Sequence, residues 1–153
     1  MLRKWLIFGL SAGILVSLGI GIRVSSADDK EKETPLGKIM EKVQKHNSTI
    51  NKGLRTKFTY AKAQKDVEKS AKELAKLAKE AKKITDAVKT AKDLPNASKK
   101  WDDWSDAFIK SADDLGQVAA KTKSDFAEAK KAFSGVKKAC ADCHQDFRID
   151  APE

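Results

Sequence analysis

Apolar positions recur along this chain at helical spacing from residue 35 onward. Leu36, Ile39, Met40, Val43, Ile50 and Leu54 follow one another at steps that keep them on one stripe, the 3.6-residue period of an amphipathic helix. Thr34 is placed to cap this first helix and Pro35 to occupy its first position, where a missing N–H costs nothing. Gly53 weakens its end, and Lys57 to Tyr60 reads as the turn that follows. A second helix is expected over Ala61–Asp93, where Val67, Ala71, Leu74, Ala78, Ala81, Thr85 and Val88 alternate by fours and threes. That spacing makes a narrow seam of mostly small residues. Leu94 to Ser98 interrupts it with turn chemistry.

A third helix, about Lys99–Ala120, gathers Trp101, Trp104, Phe108, Ala112, Leu115 and Ala119 on one face and is locally acidic elsewhere. The fourth, about Ser124–Arg148, repeats Phe126, Ala129, Phe133, Val136, Cys140, Cys143 and Phe147 at three-and-four spacing. Both cysteines thus share the stripe of the buried aromatics. No run alternates apolar and polar in the manner of a strand. Four helices of this length with short connections predict an all-α protein, an antiparallel up-down-up-down bundle. The chain has 153 residues and a net charge of +9. Such a charge invites nucleic acid or anionic lipid, but the lysines of residues 61–93 are interleaved with Glu and Asp. A solvated face with pairs such as Glu68–Lys72 accounts for them. No binding of nucleic acid is expected.

Residues 1–27 have a different character. Arg3 and Lys4 precede an uncharged run from Trp5 to Ile22, and Arg23 and the small residues Ser25-Ser26-Ala27 precede a charged stretch. That order is a secretory signal cleaved after Ala27; the alternative is an uncleaved membrane anchor. Either places the rest of the chain beyond the cytoplasmic membrane. Residues 28–34 then form a flexible lead-in, and residues 35–149 one small domain.

Near the end stands Cys140-Ala141-Asp142-Cys143-His144, the C-x-x-C-H pattern of covalent haem c attachment. Each thiol adds to one vinyl group of the ring, and the adjacent imidazole ligates the iron. A dithiol redox pair would want a βαβ setting, which is absent from the pattern. A structural zinc needs four ligands, and the chain has two cysteines and two histidines, His46 and His144. A disulfide between i and i+3 of one helix has poor geometry.

The run Cys-Ala-Asp-Cys-His-Gln-Asp-Phe-Arg at 140–148, on the last of four helices, together with the Leu36–Leu54 stripe, resembles the class II c-type cytochromes, the cytochrome c prime family. The resemblance implies one covalent haem c with its iron, His144 as proximal ligand and Arg148 near the haem edge, where a propionate contact is within its reach. It also places Met40 toward the distal face. Thioether ligation there would suit an electron carrier; if Met40 only fills space, the iron is open and suits small gases such as NO or CO. His46 or a lysine is the remaining distal alternative, and about 600° of helical rotation separates His46 from Met40. The expected function is an exported monohaem electron carrier, not an enzyme, serving redox proteins with acidic docking surfaces. After signal cleavage no stable membrane insertion is expected. Pairing as a homodimer through the first two helices is a further implication of the resemblance.

Overall fold

The computed structural model describes residues 34–91 and 93–147; the expected signal, residues 28–33 and Arg148 lie outside the described residues. Five helices succeed one another: α1 (Pro35–Gly53), α2 (Lys57–Lys82), α3 (Asp86–Thr90), α4 (Ala97–Ala120) and α5 (Phe126–Phe147). The described residues contain no strand and are all-helical, with one helix more than the periodicity suggested. No described helix is long and apolar enough to cross a membrane.

α1 begins as its sequence dictates, with the Thr34 hydroxyl accepting the Gly37 N–H at 3.0 Å and Pro35 in the first turn. The expected turn at Lys57–Tyr60 is instead the first turn of α2. Thr56 caps it: its hydroxyl accepts the Thr59 N–H at 3.1 Å, and the Thr59 hydroxyl accepts the Thr56 N–H at 2.9 Å. This reciprocal capping box shortens the connection to Leu54–Thr56. At the other end α2 stops at Lys82 rather than running to Asp93. The Ile84 N–H turns back to the Ala81 carbonyl at 2.9 Å, tightening the last turn. The Lys82 carbonyl accepts the Trp101 indole N–H at 3.4 Å. A side chain from α4 thus satisfies an end-of-helix carbonyl that helical continuation would otherwise occupy.

α2 packs against both α1 and α4, and α4 packs against α5; α1 and α5 make no comparable contact. The small residues of the α2 seam, Ala71, Ala78 and Ala81, are solvent-free together with Val67 and Leu74. All six residues of the expected α4 stripe are buried. Thr85 and Val88 leave the seam, Thr85 exposed and Val88 half-buried, because the helix has ended before them. Tyr60 donates to Ser124, which donates to the Val118 carbonyl at 2.7 Å. The Gln64 amide donates to the Ala119 and Lys121 carbonyls, both at 2.8 Å. These bonds tie the α1–α2 turn to the α4–α5 turn at one end of the molecule.

Gly53 marks the tightest approach of α1 to α2. A Cβ there would stand 2.7 Å from Val67 Cγ2 and 3.3 Å from Ala63 Cβ. Gly53→Ala should therefore destabilise the protein by about 1–3 kcal/mol through overpacking, more than the gain of up to about 1 kcal/mol in helix propensity. Urea unfolding followed by circular dichroism measures this; an unchanged midpoint would mean that the two helices separate without cost.

Candidate functional site

α5 carries Cys140, Cys143 and His144 on adjoining positions of its last two turns. Cys143 is buried, Cys140 half-buried and His144 exposed. Burial raises the Cys140 thiol pKa, and burial with the neighbouring Cys140 and Asp146 pushes Cys143 up to about 12. Thiols held neutral in this way are poor nucleophiles for disulfide exchange, which runs on thiolates. The outward side of the same helix is tied by ion pairs. Lys138 reaches both oxygens of Asp142 at 2.9 and 2.7 Å, and Lys100 of α4 reaches Asp146 at 3.2 Å. The Lys138–Asp142 pair is exposed and the Lys100–Asp146 pair half-buried, and surface pairs of this kind fix orientation more than they stabilise.

Between α1 and α5 lies a cavity of about 460 Å³, within the size range of ligand sites. One wall is Cys140, Cys143 and His144; the facing wall is Gly37, Met40, Glu41, Val43, Gln44 and Asn47 of α1; Trp104 and Phe108 of α4 form the floor. Two smaller chambers of about 320 and 170 Å³ also border Met40, the second bordering His144 as well. The structure thus brings Met40 and the three motif residues to one space. His46 does not line it. Reading the sequence for ligands missed the rest of the α1 wall. The signal was present, since residues 37, 40, 44 and 47 continue the three-and-four step through Met40. Trp104 and Phe108 were expected in the core, and they also border the cavity.

The floor is an aromatic row. Trp101 and Trp104 have ring centres 4.8 Å apart, Trp104 and Phe108 5.8 Å, and Trp101 meets Phe147 edge-on at 5.1 Å. The Trp104 indole N–H donates to the Ala139 carbonyl at 2.6 Å, fixing the ring one residue before the first cysteine. Asn47 Oδ1 is buried on the α1 wall without a hydrogen-bond partner.

The residues present fit a haem. Two neutral thiols at i and i+3 and an imidazole at i+4 share a largely apolar cavity, with a thioether across it. They do not fit a bare metal ion: among the described residues no group of three or more His, Cys, Asp or Glu could hold one. Searches of curated proteins and of solved structures found no match. The family model described as Cytochrome C' matches residues 37–148. That span runs from the α1 wall of the cavity through the cysteine–histidine motif, and the chain belongs to the cytochrome c' family of haem-binding c-type cytochromes.

Proposed function

We propose that the protein is an exported c-type cytochrome that carries single electrons on one covalently attached haem, its four long helices arranged as an antiparallel up-down-up-down bundle. The observation that carries this reading is the single cavity with Cys140, Cys143 and His144 on one wall and Met40 on the other. In it Cys140 and Cys143 would hold the ring as thioethers, His144 and Met40 would ligate the iron, and Arg148 would pair with a propionate. When bound, haem supplies an iron that gains or loses one electron. The chain supplies position and dryness. Leu36 and Val43 flank Met40 on the same helix face, and with Trp104 and Phe108 they keep water from the thioether. A dry, low-dielectric shell of this kind favours the less charged, reduced state and so raises the potential. Lysine-rich faces steer it toward acidic redox partners, and α1 and α2 offer the surface for a homodimer.

Purified protein should retain its haem through acid–organic extraction, and its intact mass should correspond to a chain starting at Asp28 plus one haem. Cys140→Ala with Cys143→Ala should release the haem to the organic phase. Free extraction from the unaltered protein would exclude thioether attachment; full-length mass in a membrane fraction would exclude cleavage after Ala27. The second reading, a five-coordinate haem protein for small gases, is favoured by the two chambers beside Met40.

A further inference from the structure

The turn between α1 and α2 and the turn between α4 and α5 meet at one end of the molecule. Gln64 bridges to the Ala119 and Lys121 carbonyls, and a shallow cleft is shared by Lys57, Tyr60, Lys123 and Phe126. The sequence contains no acidic residue from Thr49 to Gln64 or from Gly116 to Ser124. The exposed cations Lys52, Arg55, Lys57, Lys62, Lys121 and Lys123 therefore crowd one end. Lys121 pairs with Glu128, and Asp125 is used in capping the Ala127 and Glu128 N–H groups. Lys52, Arg55, Lys57 and Lys123 have no ion-pair partner among the described residues. In their midst stands Phe58, 69 % exposed, the one large apolar side chain so exposed among the described residues. The Lys62 ammonium lies 4.2 Å from the centre of its ring.

We infer that this end of the molecule docks on an anionic phospholipid surface, with Phe58 entering the headgroup layer and the surrounding cations meeting lipid phosphates. A solvent-exposed aromatic ringed by Lys and Arg is the pattern of interfacial attachment, and each cation close to an anionic leaflet strengthens binding about fivefold. A protein partner would need a broad complementary patch of several hundred Å², whereas here one ring projects from a charged rim. The haem cavity is far from this end: 13 residues of α1 separate Met40 from Gly53, about 20 Å of helix. Docking therefore holds the molecule at a surface while leaving the cavity end facing outward. This goes beyond electron transfer, and its test does not depend on the distal ligand.

Haem-loaded protein is sedimented with vesicles of phosphatidylcholine alone and of phosphatidylcholine with one-third phosphatidylglycerol. Binding is expected only to the anionic vesicles, and should disappear in high salt. Arg55→Glu with Lys123→Glu should weaken it more than about twentyfold, Phe58→Ala several-fold, and Phe58→Trp should show a blue-shifted emission on anionic vesicles alone. Lys99→Glu with Lys110→Glu makes the same change of net charge on α4 and should have little effect. Equal binding to neutral and anionic vesicles, no binding to either, or an α4 reversal as damaging as the tip reversal would each overturn the inference. All four charged positions are exposed, and circular dichroism verifies that each variant is folded.

Discussion

Met40→Ala is expected to turn a low-spin oxidised iron high-spin, abolish the weak near-infrared band of sulfur-to-iron charge transfer, and let the reduced protein bind CO at once. Met40 is the one α1 side chain that borders all three chambers near the motif. Its thioether is the group on that wall able to bind a soft iron strongly. Loss of the ligand should also lower the reduction potential, since a thioether stabilises the reduced state. The fold should survive: Met40 is half-buried, so its truncation should cost no more than about 2 kcal/mol, the low end for a buried methionine. Visible and near-infrared spectra of the oxidised protein and a CO titration of the reduced one decide the matter. An unaltered protein that is already high-spin and binds CO immediately would make Met40 packing only, and the gas-binding reading would replace the carrier.

Trp104→Ala should be the most destabilising single change near the site, by about 3–5 kcal/mol. Trp104 is buried between Trp101 and Phe108, borders the cavity, and donates to the Ala139 carbonyl at 2.6 Å. Alanine would remove the floor and merge the cavity with the core. Trp104→Phe keeps most of the ring and gives up the hydrogen bond, a loss of about 1–2 kcal/mol. Denaturant unfolding of haem-loaded variants measures both. A loss below about 1 kcal/mol for the alanine variant would mean that α4 and α5 are held together without this side chain.

The stripes of α1, α4 and α5 were legible because burial in a helix leaves a periodic trace, and Trp101 to Ala119 fell where that trace put them. The ends of α2 were not. Its start depends on Thr56 and Thr59 bonding each other's backbone, a box with Thr in place of the usual Glu or Gln at its third position. Its finish depends on Trp101, nineteen residues later, reaching the Lys82 carbonyl; no spacing within residues 61–93 encodes that contact. The seam continued on paper through Thr85 and Val88 after the helix had stopped. The motif at Cys140–His144 was legible outright, as covalent chemistry dictates the residues. What the sequence could not supply was the cavity itself, since residues 37, 40, 44 and 47 keep the same helical step whether they face another helix or a ligand site.

One-sided packing gives α1 the mechanics of a lever. α1 is braced along α2 but not by α5, and its fulcrum is the Leu54–Thr56 turn with the Gly53–Val67 contact beside it. With Met40 about 20 Å along the arm, a tilt of about ten degrees displaces it by about 3.5 Å, more than the length of a metal–sulfur bond, about 2.3 Å for zinc. Substitutions at the turn, far from the cysteines and touching nothing in the cavity, are therefore expected to alter the reach of the residue that faces them.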